Sequence, residues 1–254
     1  MTSATTTPAK RQSLADALSV PLIILGALLS TAAFVLAFTV SPIVYGEAVT
    51  LPALIGDQMV TNLLLFSQKI FYFHVPVAML SFVCLAGTAV YGMLFLLRRD
   101  PAFDLRARVA TELALVFIMM TMVSGEMWER FDWGIWWTWE PRLTTYFIMM
   151  LMVIGYFVLR AAVPDAERQA SYAAVFGIIA FINAPVSLII TRLVPTGVHP
   201  VVFRTDAGLP PLMLIPFLLA LAGMSMVAFG LFRLRLREQI LARRLEELRA
   251  QLDE

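Results

Sequence analysis

Six long apolar runs dominate the chain, separated by shorter stretches that carry most of the charge. They cover residues 20–40, 70–97, 109–125, 143–159, 170–191 and 208–232. At 1.5 Å per helical residue, each is long enough, or nearly so, to cross a hydrocarbon core of roughly 30 Å. The runs are continuously apolar, whereas a membrane barrel strand would alternate over about ten residues. The pattern predicts an all-α, polytopic integral membrane protein with six transmembrane helices, built as a single membrane domain over 1–254. The first run follows Lys10 and Arg11 like a signal peptide, but it is longer than an ordinary signal core and no A-x-A site follows. It is therefore read as an uncleaved anchor, with a disordered Thr/Ser-rich stretch at 1–7. Beyond the sixth run, Leu234, Leu241, Leu245, Leu248 and Leu252 fall on one helical stripe, so 233–254 reads as a helical tail.

Composition agrees with a membrane protein. Hydrophobic residues make up 60% of the chain, charged residues 15%, and mean hydropathy is +0.81. A soluble domain carries about 25% charged residues, so this chain lacks the polar surface to face water all round. Cys84 is the single cysteine, which excludes a disulfide scaffold. The 19 basic residues balance 18 acidic ones, which argues against a nucleic-acid partner.

The distribution of positive charge orients the spans. Fourteen of the 19 Lys and Arg residues lie in the N-terminal stretch, the 98–108 and 160–169 loops and the tail. By the positive-inside rule these segments, and hence both termini, are expected in the cytoplasm. The loops near 41–69, 126–142 and 192–207 then face outward.

Those outer segments hold the candidate chemistry. The only two histidines, His74 and His199, both fall there. A single histidine near a membrane surface usually just satisfies a carbonyl, but two on one face suggest a shared site. Neutral imidazole ligates metals, and two can hold a haem iron from opposite sides of the ring. All five tryptophans lie in the loop 126–144, within 12 positions of one another, at Trp128, Trp133, Trp136, Trp137 and Trp139. An aromatic belt would spread them over both interfaces. Clustered indoles instead suit a flat apolar ligand such as a porphyrin. Arg130 and Arg142 either meet that ligand's carboxylates or pair with the nearby Glu126, Glu129, Asp132 and Glu140. Gly134 reads as a turn, and Glu140-Pro141 as the start of the fourth helix.

The stretch WGIWWTWEPRLT at 133–144 resembles the tryptophan-rich "WWD" signature of a haem-handling family, and His74-Val75-Pro76 is similar to a His-Val-Pro element of that family. Six spans suit its short branch, the haem exporter protein C (CcmC) proteins of bacterial cytochrome c maturation. The resemblance implies a protein of the bacterial cytoplasmic membrane that binds haem b transiently at the outer, periplasmic face. His74 and His199 would be axial ligands of the iron. Trp133, Trp136, Trp137, Trp139, Glu140, Arg142 and Arg130 would form the platform. Implied partners are haem, a membrane-tethered periplasmic haem chaperone, ABC-type ATPase and permease subunits, and a small single-span protein. The signature usually has Asp where this chain has Glu140, and the residues around His199 follow the family less closely.

No nucleophile–base arrangement or phosphate-binding glycine loop is visible, so a haem-delivering protein is expected and not an enzyme. Two other readings compete. A transporter of haem or another solute would place polar groups near the midplane of several spans, where only Asn183 and scattered Ser and Thr qualify. A haem-retaining electron-transfer subunit would carry histidines inside the bundle.

Overall fold

The computed structural model describes residues 17–42, 49–50, 59–60, 66–194 and 209–253, without the side chains of 49, 50, 59, 60, 66, 133, 191, 192 and 253. His199 and the stretch 1–7 lie outside the described residues, as does the side chain of Trp133. Six helices carry the fold: α1 Ser19–Thr39, α2 Phe71–Arg98, α3 Pro101–Trp133, α4 Pro141–Ala162, α5 Ala166–Leu193 and α6 Pro211–Asp253. All six are long and apolar enough to cross a membrane. A two-residue antiparallel pairing, Val49 opposite Val60 and Thr50 opposite Met59, lies between α1 and α2. The 3-10 turn Phe66–Ile70 leads into α2.

Local chemistry sets the helix ends. Arg99 closes α2 in the left-handed region (φ 57°), and the Asp100 side chain accepts from Ala102 N at 2.8 Å to cap α3. Pro101 occupies the first turn, where its missing N–H costs nothing. Asp165 caps α5 in the same way, accepting from Arg168 N at 2.8 Å. Gly134 ends α3 with φ 73°, a conformation that favours glycine, and Pro141 opens α4.

The helices pack through small residues and shared polar groups, as bilayer-embedded helices do. The α1–α6 contact is close enough that a Cβ on Gly223 would lie 2.5 Å from Ser30 Oγ and 2.7 Å from Gly26 O. Gly223→Ala is therefore expected to push α1 off α6 and lower stability by about 1–3 kcal/mol. Thermal denaturation in detergent would check this, and an unchanged midpoint would contradict it. Inside the bundle, Thr88 and Thr111 hydroxyls meet at 3.0 Å, Ser81 and Tyr146 hydroxyls at 2.8 Å, and Asn183 Nδ2 donates to Thr145 O at 2.7 Å. Leu85, Ile118, Met149 and Val153 form the centre of one core cluster.

Two ends of the bundle differ in chemistry. One gathers arginines: Arg160 grips Asp104 through two bonds of 2.7 and 2.9 Å, and Arg235 donates to Glu112 at 2.7 Å. Glu112 also receives Arg108 at 3.3 Å, so its carboxylate is held between two cations. Helix α6 runs without a break to Asp253, about 65 Å at 1.5 Å per residue, and so extends well past a bilayer's thickness. Leu241, Leu245, Leu248 and Leu252 are exposed along that extension. The other end holds His74 and the tryptophans.

The loop expected over 126–144 is shorter than its sequence suggests. Helix α3 continues to Trp133, so only 134–140 connects it to α4. The charges at 126–132 suggest a loop, yet a helix surface accommodates them. Trp128 Nε1 donates to Asp132 Oδ2 at 2.5 Å, an i,i+4 contact that only a helix permits.

Candidate functional site

Helix α3 supports the site with one stripe of residues. Thr121, Gly125, Trp128, Glu129 and Asp132 recur at helical spacing, and the stripe faces the first turns of α2, which present His74. A Cβ on Gly125 would lie 2.9 Å from His74 Cε1, so only glycine lets the imidazole lie flush against α3. The ring of Trp128 meets His74 edge-on, with centroids 5.7 Å apart. Asp132 bonds both Trp128 and the Ser67 hydroxyl, which ties the end of α3 to the turn before α2.

Hydrogen bonding orients the imidazole of His74. Its Nδ1 lies 3.0 Å from Ser124 Oγ. The single hydroxyl hydrogen of Ser124 is directed to the backbone, with Met120 O at 2.8 Å and Thr121 O at 3.2 Å. In the tautomer protonated at Nδ1, Oγ accepts from Nδ1–H and the basic nitrogen is Nε2. A ring held through one nitrogen, with basicity on the other, is the usual arrangement of a metal-ligating histidine.

His74 lines a cavity of about 50 Å³ together with Thr121, Gly125, Glu129, Trp137 and Arg142, so α2, α3, the connecting loop and α4 all reach it. Glu129 is only 2% exposed, and neither carboxylate oxygen has a hydrogen-bond partner among the described residues. Trp137 Nε1, Thr138 Oγ1 and Thr144 Oγ1 are likewise buried without partners there. Buried polar atoms are almost always bonded, so such a concentration at one loop marks a place built for a polar-edged ligand or ordered water.

The predicted platform residues divide into two groups. Trp137 and Arg142 line the His74 cavity, and Glu140 is buried immediately before α4. Trp137, Trp139 and Phe147 form an aromatic cluster, with centroid separations of 5.5, 5.8 and 6.4 Å. Trp136 and Trp139 are exposed, and Arg130 lies away from the cavity. Its guanidinium covers Trp136 at 5.8 Å and donates to Gly134 O, which pins the turn. Trp133 supplies the last residue of α3. Ser124 and Gly125 escaped the sequence reading of the site, in which Trp128 and Asp132 figure only as parts of the loop. Their signal was the stripe on α3, visible only once the helix is continued past 125.

Fold and site together define a multi-pass helical membrane protein with a histidine set beside a tryptophan-rich loop at one end of the bundle. The sequence profile described as "CcmC: Heme exporter protein C" matches residues 64–251. The chain is similar to the "Heme exporter protein C" of Rhodobacter capsulatus, 29% identical over 71% of this chain and 76% of that protein. It is also similar to the protein of that name from Bradyrhizobium diazoefficiens, 31% identical over 71% of this chain and 69% of that one. Its counterpart in Escherichia coli K12 is 26% identical over 69% and 71%. This chain belongs to the haem exporter protein C family.

Proposed function

We propose that this protein handles haem for cytochrome c maturation. It binds haem b transiently at the periplasmic face of the bacterial cytoplasmic membrane and presents it to a membrane-tethered haem chaperone. His74 and His199 are the axial ligands, and the tryptophan-rich loop is the platform. ABC-type ATPase and permease subunits and a small single-span protein act with it, so any ATP use belongs to a partner. The observation that carries this reading is the shared cavity: His74, held at Nδ1 by Ser124, lines the same space as Trp137 and Arg142.

The cluster of buried, unpartnered polar atoms at 137–144 suits a ligand with an apolar ring and carboxylate edges. Haem supplies an iron that accepts two imidazoles. The chain's own groups do the rest. Ser124 orients His74, the indoles exclude water from the ring, and Arg142 offers a fork of donors to a carboxylate. Holding and releasing the ring needs no covalent step by the protein itself.

The test is an absorption spectrum of protein purified from haem-replete membranes. Wild type is expected to show the Soret band of six-coordinate, low-spin haem. Removing a group that merely orients a metal ligand costs about 10–100-fold in affinity, and removing the ligand itself should cost at least that. His74→Ala and His199→Ala should each lose or shift the band, and Trp136→Ala/Trp137→Ala should retain less haem while inserting normally. Unchanged spectra in both histidine variants would eliminate axial ligation.

A further inference from the structure

The His74 cavity has a second side. Helices α3 and α4 touch only sparsely. Between them lies a crevice of about 410 Å³, lined by Met119, Met122, Val123 and Glu126 on α3, Trp137 and Trp139 on the loop, and Phe147 and Met150 on α4. Met122, Glu126 and Trp137 line both spaces, so the crevice and the cavity are neighbours through a common wall. Met119 and Val123 are more than half exposed on the outward surface of a span, so the crevice faces the lipid.

We propose that this crevice is a lateral access site, through which a planar apolar ring leaves the bilayer and reaches His74. The proposal rests on the haem-binding reading above and adds the direction of approach. Three observations carry it. The crevice volume falls within the range of about 300–1,000 Å³ typical of ligand sites, whereas the His74 cavity is far smaller. One wall is the Trp137–Trp139–Phe147 aromatic cluster, and the facing wall carries Met119 and Met122, soft side chains that re-pack around an incoming ring. The charge at the common wall is Glu126, which has the same sign as a porphyrin's carboxylates. The apolar edge of the ring therefore leads, and the carboxylates trail toward the polar boundary. A larger apolar cleft of about 860 Å³, between α1, α2 and α3, borders the crevice at Met119 and Val123 but shares no lining residue with the His74 cavity, and its far side at Phe38 serves as the control surface.

The experiment plugs the crevice after folding. Met150→Cys, in a Cys84→Ser background that removes the sole native thiol, is purified and labelled with a bulky methanethiosulfonate reagent. Haem is then offered from preloaded lipid vesicles or from haem–albumin in water. Labelling should slow capture from vesicles about tenfold, reducing off the label should restore it, and capture from albumin should be unchanged. A Phe38→Trp variant, which fills the control cleft, should not slow either donor. An unchanged vesicle rate after labelling would overturn the proposal and leave the crevice a niche for acyl chains. Equal slowing from both donors would also overturn it, because the label would then block binding at the platform tryptophans Trp137 and Trp139 and not the route from the bilayer. Unlabelled protein that takes haem from neither donor would sink the haem-binding reading itself, and the access site with it.

Discussion

Gly125→Ala is expected to insert and fold, yet to bind haem at least about tenfold more weakly. Alanine favours a helix more than glycine does, so α3 itself gains slightly. The added Cβ meets His74 Cε1 at 2.9 Å, and the imidazole must swing away. That movement breaks the Nδ1–Ser124 bond and the edge contact with Trp128. Overpacking costs about 1–3 kcal/mol and a lost hydrogen bond about 1 kcal/mol, together well over the 1.4 kcal/mol that makes a tenfold change. Titrating haem into detergent-purified protein would measure it. Ser124→Ala should weaken binding less, because it removes the bond and leaves the ring its space. If Gly125→Ala bound haem as wild type does, the flush packing of His74 on α3 would have no part in ligation.

Arg160→Met should destabilise the whole bundle by about 3–5 kcal/mol, the cost of leaving one member of a buried ion pair alone. Asp104 and Arg160 are both about nine-tenths buried, joined by bonds of 2.7 and 2.9 Å. Arg160 also donates to Tyr156 Oη at 3.2 Å, and Gln169 Nε2 donates to the Arg160 carbonyl at 2.6 Å. The pair links the starts of α3 and α5 to the end of α4. In Arg160→Met the Asp104 carboxylate keeps its burial and loses its cation. The double variant Arg160→Met/Asp104→Leu should recover most of the loss, since no lone charge remains. Denaturant unfolding in mixed micelles would compare the three proteins. A double variant no more stable than Arg160→Met would show that the hydrogen bonds to Tyr156 and Gln169 dominate instead. The pair lies at the far end of the bundle from His74, so the haem spectrum of the folded fraction should stay as in wild type.

Much of this architecture was legible in the residues. Apolar length alone predicts six spans, because a helix must satisfy its backbone polar groups internally to cross lipid. Glu140-Pro141 marks the start of α4, because proline fits a first helical turn, whereas the 98–108 stretch expected as a loop forms the first turns of α3 from Pro101. The concentration of tryptophans singled out the loop, and the scarcity of histidine singled out His74 and His199, of which His199 lies outside the described residues. Charge misled at 126–132, where acids and Arg130 suggest a loop that the structure shows as helix. A sequence pattern cannot tell charges in a loop from charges on the exposed face of a helix that outruns its apolar run.

Composition and periodicity determined what is buried in lipid and which residue types meet the site, since both follow from local properties of the chain. Tertiary packing decided how they meet: that Gly125 makes room for His74, that Ser124 holds its Nδ1, and that Arg142 reaches the cavity while Arg130 pins a turn. Those relations depend on the rotation and separation of helices dozens of residues apart, and no local pattern encodes either.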